Sequence, residues 1–380
     1  MIVLAFAALG ACLYLLFGRG MFWLLRDRDD RFVSQTPTGA HSVVAVVPAR
    51  DEADVIARAI TSLLAQDYAG PFHIVLVDDG SNDGTADEAR RAALASGRSG
   101  RLEILAGTDP PAGWTGKLWA MKQGLAHAET NVSPDYVLFT DADIAHASDN
   151  VGRLVARAEH ERLVLVSLMA KLQCRAVPEK LLIPAFVYFF AMVFPFRWVN
   201  NPSKKTAGAA GGCMLARREA LSGLGGLDVI ASAIIDDCAL ASILKSKGPI
   251  WLGLTERVES LRPYGTTGEI GRMVARSAFA QLRYSPLLLC GTIAGMSLVY
   301  ALPVLLAAFA HGLPRFAGAL AWFGMAVSFQ PILRFYRLSP LWGLAVPLVG
   351  ALYAGFTLQS AIEHWRGRGG MWKGRAQAMA

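Results

Sequence analysis

The sequence predicts an α/β domain built on a mainly parallel sheet, with transmembrane helices at its amino and carboxyl ends. Three observations predict it. Short apolar, β-branched runs alternate with helical patterns from Val43 to about Leu168, as in successive βαβ units. Long apolar stretches fill both ends of the chain. Acidic pairs stand where elements begin or end: Asp78-Asp79, Asp141-Ala142-Asp143 and Asp236-Asp237.

Composition agrees with a membrane-attached α/β protein. Hydrophobic residues make up 53% of the 380 and charged residues only 18%, more apolar than a usual soluble chain. The net charge is +7. Its basic residues cluster beside apolar stretches rather than among aromatics, which fits a membrane surface and argues against nucleic acid. Cys12, Cys174, Cys213, Cys238 and Cys290 are scattered without C-x-x-C spacing. Neither a zinc site nor a disulfide framework is indicated, and free thiols in a reducing cytosol are expected. No internal repeat is visible.

Residues 1–25 read as a retained membrane anchor: apolar from Met1 to Phe17 and again from Met21 to Leu25, with no basic n-region or cleavage site. Arg19, Arg26, Arg28 and Arg31 follow, placing the amino terminus outside and the main domain in the cytoplasm. Residues 26–42 are a linker, polar from Ser34 to Ser42.

The domain spans residues 43–285. Val43–Val47 is a buried strand ended by Pro48, with the loop Ala49-Arg50-Asp51-Glu52 after it. A helix runs from about Asp54 to Gln66, and strand His73–Val77 leads to Asp79. Leu102–Leu105 is a third strand. The loop of Pro110, Pro111, Gly113 and Gly116 carries Trp114 and Lys117 ahead of a helix. Strand Tyr136–Thr140 delivers Asp141 and Asp143 to its carboxyl end, where open α/β sheets bind ligands. A helix from about Asp149, strand Leu163–Leu168, a Gly211-Gly212 turn with a short strand, and a helix near Cys238 complete the set.

Leu181–Val199 is uncharged before Arg197 and long enough to cross a bilayer, but Pro184 and Pro195 interrupt a regular helix. A single crossing would separate Asp141 and Asp143 from Asp236 and Asp237. Segment 181–199 is therefore expected to lie at the membrane interface, with a buried core helix as the alternative. Residues 286–365 hold three candidate spans, Leu287–Ala310, Phe316–Leu333 and Leu341–Ile362, before a basic tail at 366–380. Three spans would place that tail outside, against the positive-inside rule, so the topology of this end stays open.

Each acid alone is explained by capping or turn chemistry, and D-x-D is a common triplet. Three acid pairs at element ends in one α/β domain fit a nucleoside-diphosphate ligand better. One acid would accept from base or ribose. The D-x-D pair would hold a divalent cation against phosphate oxygens, and another carboxylate would take a proton from an attacking hydroxyl. Lys117 would add positive charge, though a surface lysine is its plainer reading.

VVAVVPARDE, IVLVDDGSNDGT, TDAD, AGGCMLARREAL and IIDDCALA, in this order and spacing, resemble a family 2 glycosyltransferase of GT-A, Rossmann-like fold. The match covers about Val43 to Tyr284. The anchored architecture is similar to ceramide-glucosyltransferase-like members. GWTGKLWAMKQG, LLIPAFVYFF and RGRGGMWKGR resemble the hopene-associated glycosyltransferase group HpnB. The resemblance implies Ala49 and Glu52 beside the nucleobase and Asp79 on the uridine part of the donor. It implies Asp141 and Asp143 as the D-x-D pair, with Asp143 the direct ligand of Mg or Mn. Gly211 and Gly212 would line the sugar and acceptor site. Asp237 would be the catalytic base, with Asp236 in place of the family's glutamate. Asp51 stands where many members have asparagine. Gln281-Leu282-Arg283-Tyr284 departs from the (Q/R)-x-x-R-W signature, which weakens any implication of processive synthesis. Arg283 would contact the diphosphate and Tyr284 would stack in the acceptor site. His146 reads as a loop histidine.

The implied activity is inverting transfer of a sugar from a nucleotide-diphosphate donor, a UDP-sugar, to a membrane lipid hydroxyl, with a hopanoid as the lipid. The implied location is a multi-pass inner-membrane protein with a cytoplasmic catalytic domain. Two alternatives stay open: a metal-dependent phosphohydrolase using Asp141 and Asp143, and a non-catalytic membrane scaffold.

Overall fold

The computed structural model describes residues 1–32, 40–223, 225–369, 371–372 and 375–376. Most of the polar linker, Ser34–Gly39, and Lys373 of the basic tail lie outside the described residues. The chain divides into two compact units. One is built from Asp27–Gln173 and Val199–Pro263; the other from Met1–Arg26, Cys174–Trp198 and Tyr264–Gly370. The geometry therefore draws the boundary at Pro263 rather than 285, and it brings Asp27–Phe32 of the linker into the first unit.

The first unit is organised by an eight-stranded sheet. Its strands are β1 (Val43–Ala49), β2 (Phe72–Asp78), β3 (Leu102–Ala106), β4 (Tyr136–Phe139), β5 (Ile144–His146), β6 (Leu165–Lys171), β7 (Met214–Arg217) and β8 (Ile250–Ser260). Their order is β3-β2-β1-β4-β7-β6-β8-β5. Every residue of β1 is buried, as expected of an apolar strand covered on both faces. The strand runs through Pro48, which was expected to end it, and pairs Ala49 with Asp78.

β1 is parallel to β2 and β4, and β2 to β3. Their carboxyl ends therefore open on one edge, which gathers the loops that begin at Arg50, Asp79 and Thr140. β7 is antiparallel to β4, pairing Met214 with Phe139. That reversal brings the turn before β7, with Gly211 and Gly212, to the same edge. β6 pairs antiparallel with β7 and parallel with β8, and β5 pairs antiparallel with β8. The sheet is thus parallel through its first strands and mixed beyond β4.

The sheet unit's helices are α1 (Ile56–Leu64), α2 (Thr85–Ala95), α3 (Gly116–Asn131), α4 (Asn150–His160), α5 (Arg218–Ser222) and α6 (Asp236–Lys245). α3 starts at an N-cap, Thr115, whose side chain accepts from the Leu118 N–H at 3.3 Å. It lies directly on the sheet at Gly124, where an added Cβ would meet Val46 Cγ1 at 2.6 Å and Val77 Cγ2 at 3.0 Å. This close approach fixes the helix that carries Lys117. Gly124→Val is expected to destabilise the fold by about 1–3 kcal/mol through overpacking, despite removing a mid-helix glycine. Chemical denaturation of the full chain checks it.

The second unit is helical. Among the described residues, four helices are long and apolar enough to cross a membrane: Val177–Val199, Pro286–Phe309, Gly312–Phe335 and Pro340–Trp365. Ile2–Gly18 is apolar but shorter; a bilayer core needs about 20 helical residues. The helix from Val177 passes unbroken through Pro184 and breaks only between Val193 and Phe196. Tyr188 anchors this unit. Its ring meets Phe22 and Phe329 edge-on, and its hydroxyl lies 2.7 Å from the Ser328 hydroxyl.

The sheet constrains Val177–Val199. Strands before it (β4, β6) pair with strands after it (β7, β8). One bilayer crossing by this helix alone would place paired strands on opposite sides of the membrane, so it does not cross once.

Candidate active site

The ends of β1, β2 and β4 and the start of α6 bring the sheet unit's acids to one edge. Ala49 closes β1, and its carbonyl accepts from the Asp79 N–H at 2.8 Å. Asp79 is 1% exposed; Arg50 donates to its carbonyl and lies 3.6 Å from its carboxylate. The β1 and β2 loops are laced together. Thr85 Oγ1 accepts from the Glu52 N–H at 2.8 Å, and Ser81 Oγ from the Asp51 N–H at 3.0 Å. Asp51 adopts a left-handed backbone, φ 50°, a conformation that asparagine and aspartate enter more readily than most residues.

Lys117 is the hub. Its Nζ lies 2.9 Å from Asp141 Oδ1 and 3.1 Å from Asp236 Oδ2. It is a half-buried ion-pair partner rather than the surface lysine of the plainer reading. Burial opposes its charge, but Asp141 and Asp236 outweigh burial and hold it protonated above the ordinary lysine value. A Cβ on Gly211 would sit 3.4 Å from Lys117 Nζ and 3.5 Å from Asp237 Oδ2. Gly211 thus lies within van der Waals reach of both groups.

Asp237 is held by backbone. Its Oδ2 accepts from the Gly211 N–H at 2.9 Å and its Oδ1 from its neighbour's, Cys238, at 2.7 Å. Burial, then the adjacent Asp236 carboxylate, push its pKa up to about 6; Lys117 and the two N–H groups restrain the rise. For a carboxylate acting as base, activity is lost when it takes a proton. The acidic limb of kcat/KM is therefore expected near pH 6 rather than near 4. For stability the sign is opposite. A raised carboxyl pKa favours the folded state at low pH, and that contribution is lost as pH rises through about 6. A pH–rate profile checks the first statement.

Asp141 and Asp143 stand just past β4. Asp143 Oδ2 lies 3.3 Å from Arg262 Nε, and the Asp143 carbonyl accepts from the Leu261 N–H at 2.7 Å. Burial and the nearby Asp141 carboxylate raise the pKa of Asp143. Two like charges in a partly enclosed place are the condition a dication relieves. Among the described residues no group of three or more His, Cys, Asp and Glu side chains is arranged to hold a metal. The two carboxylates nevertheless fit a hard cation whose other ligands are waters and phosphate oxygens.

His146 lies in β5, not in a loop. Thr140 Oγ1 donates to the Gly212 carbonyl at 2.8 Å and so accepts from His146 Nε2–H at 2.9 Å. Asn150 Nδ2 donates to His146 Nδ1 at 3.0 Å. Burial lowers the imidazole pKa to about 4, so the ring is neutral. Both nitrogens are engaged, which leaves no lone pair for a metal. Thr140 ties the end of β4 to Gly212, and the histidine links that threonine to Asn150 at the start of α4.

Arg283 and Tyr284 fall in the helical unit. They follow helix Thr267–Gln281 with left-handed backbone, φ 52° and 55°, and Tyr284 stacks on His364 at 4.3 Å. Sequence reading missed Arg262, which meets Glu52 as well as Asp143. Its one signal is a position just past β8, a strand that was not foreseen.

The family model for glycosyl transferase family 2 matches residues 44–225, the stretch that contains Glu52, Asp79, Lys117, Asp141, Asp143 and Gly211. The chain carries a family 2 glycosyltransferase domain over these residues. It is an enzyme of the transferase class, and its GT-A sheet is the fold expected from the sequence. An N-acetylglucosaminyltransferase of Rhizobium leguminosarum bv. viciae is 35% identical over 114 residues, 30% of this chain. This chain spans about a quarter of that relative, 24%. A mannosyltransferase from Pyrobaculum calidifontis, solved with GDP-Man and Mn2+, matches in fold. Its TM-score is 0.58 at 20% identity, over 97% of this chain and 98% of that one.

Proposed function

We propose that this glycosyltransferase moves a sugar, with inversion, from a nucleoside-diphosphate donor to the hydroxyl of a membrane lipid. One observation carries the reading. Lys117 joins the D-x-D residue Asp141 to Asp236, beside Asp237 on its Gly211 hydrogen bond. Cation-side and base-side acids thus share one small site around a single positive charge. A scaffold has no use for that arrangement. A phosphohydrolase built on Asp141 and Asp143 leaves Asp237 and its raised pKa without a task.

In this mechanism Glu52 and Asp79 receive the base and ribose of the donor. Asp141 and Asp143 hold Mg or Mn, which when bound neutralises the diphosphate and eases its departure. Asp237 takes the proton of the acceptor hydroxyl. The oxygen forms its bond to the anomeric carbon as the bond from that carbon to the diphosphate breaks, and one displacement inverts the centre. Lys117 turns its charge toward the leaving diphosphate. Gly211 and Gly212 leave room for the sugar and acceptor. Arg283 and Tyr284 are assigned no step, because the sheet unit supplies the chemistry by itself.

The apolar helices support a membrane location. The proposed topology is a multi-pass inner-membrane protein with its sheet unit in the cytoplasm and Val177–Val199 at the membrane interface. An acceptor drawn from the bilayer follows from that placement, and the HpnB resemblance makes a hopanoid the specific candidate. The donor is proposed as a UDP-sugar; the GDP-Man bound by the Pyrobaculum enzyme makes a GDP-sugar the comparison. Calorimetric titration of the purified chain with UDP- and GDP-sugars, with and without Mn²⁺, tests the reading. Cation-dependent binding of one class is expected, and no binding of either would overturn it.

A further inference from the structure

Arg262 is gripped by two acids from different parts of the sheet edge. Its Nη2 donates to Glu52 Oε2, from the loop after β1, and its Nε points to Asp143 Oδ2, after β4. The adjacent Leu261 N–H is fastened to the Asp143 carbonyl at 2.7 Å. β5 and β8 pair Ile144 with Ser260 just beside it. The guanidinium is therefore placed by the backbone just before it, and two of its nitrogens reach two different acids.

Asp141 is matched in a parallel way. Lys117 holds it at 2.9 Å and reaches Asp236 with the same ammonium group. Each carboxylate of the D-x-D pair thus has a cationic partner from this chain. Each partner also holds a second acid: Glu52 on the side proposed for the base, Asp236 on the side proposed for the acceptor.

We propose that Arg262 is a positioning residue of the donor site, which locks Glu52 and Asp143 into one geometry and serves as the internal counter-charge of Asp143 while no cation is bound. This rests on the donor-binding reading above. Two opposed consequences follow. Without nucleotide, the guanidinium competes with a divalent cation for Asp143. With nucleotide, the same guanidinium keeps Glu52 ordered beside the base. A lysine at this position would keep the competing charge but not the planar fork that reaches both acids. A side chain that merely stabilised the fold would have one sign in both measurements.

The test is isothermal calorimetry on the full-length chain in detergent, comparing wild type, Arg262→Gln and Arg262→Lys. MnCl2 alone is the first probe; UDP and GDP in saturating Mn²⁺ are the second. Arg262→Gln is expected to bind Mn²⁺ about threefold tighter than wild type, the scale of a partly exposed ion pair. It is expected to bind the nucleoside diphosphate about tenfold more weakly, the scale of a lost charge-assisted contact. Arg262→Lys is expected to keep wild-type Mn²⁺ affinity and share the nucleotide loss. Cation and nucleotide affinities that fall together in Arg262→Gln would overturn the proposal, as would unchanged nucleotide affinity in both variants. A wild-type chain that binds neither nucleotide would instead overturn the donor reading, and the role of Arg262 with it.

Discussion

Asp237→Asn is expected to lower turnover by about a hundredfold or more while leaving nucleotide affinity close to wild type. The replacement has the same shape, and an amide oxygen can still accept one of the N–H groups of Gly211 and Cys238 that now hold the carboxylate. What it loses is the basic carboxylate oxygen proposed to receive the acceptor's proton. The acidic limb near pH 6 should vanish from the residual rate, because the group whose pKa is raised to about 6 is gone. Steady-state kinetics across pH, with donor binding measured beside them, separates base loss from misfolding. A variant turning over at the wild-type rate would remove Asp237 from the mechanism.

Lys117→Met carries the second large effect. Methionine keeps much of the length and the apolar stem but leaves Asp141, Asp236 and Asp237 without the ammonium group that now stands among them at 2.9 and 3.1 Å from the first two. Turnover is expected to fall by roughly a hundred- to a thousandfold, the scale of losing one preorganised charge at a leaving group. Lys117 holds the Asp237 pKa down, so the acidic limb of the surviving activity should also move upward. The two readouts together distinguish loss of charge from loss of packing. An unshifted limb with a modest rate change would mean that Lys117 is a structural partner of Asp141 and no more.

The parts of this site that were legible in the sequence share a physical cause. β1, β2 and β4 are short, apolar and buried, so their pattern is strong, and parallel pairing puts whatever follows them on one edge. Asp79, Asp141 and Asp143 are found because they follow those strands. β8 was not foreseen. Thr255, Glu256, Arg257 and Glu259 interrupt its apolar run, and three-residue β5 is too short to show a period. Arg262 went unseen with them, since it lies 210 residues from Glu52 and only the sheet brings the two together.

Lys117 illustrates a different gap. Lysine is usually exposed, and nothing local in GWTGK announces three carboxylates around it. The loop after β4, with Asp141, and the start of α6, with Asp236 and Asp237, supply them only in the folded sheet. His146 reads as a loop residue in the sequence because three-residue β5 shows no period. Arg283 and Tyr284 came from the family resemblance, while the described geometry groups them with the helices.

Sugar transfer onto a lipid is the activity proposed for the Asp141, Lys117 and Asp237 site. Its most direct measurement supplies the detergent-purified chain with radiolabelled nucleotide sugar, Mn²⁺ and extracted bacterial membrane lipid. Label is then followed into the organic phase for wild type and Asp237→Asn. Label is expected in a lipid-soluble product with wild type, dependent on the cation and nearly absent with the variant. Label that stays wholly in the aqueous phase with donors bound, or that enters lipid equally well with Asp237→Asn, would contradict it.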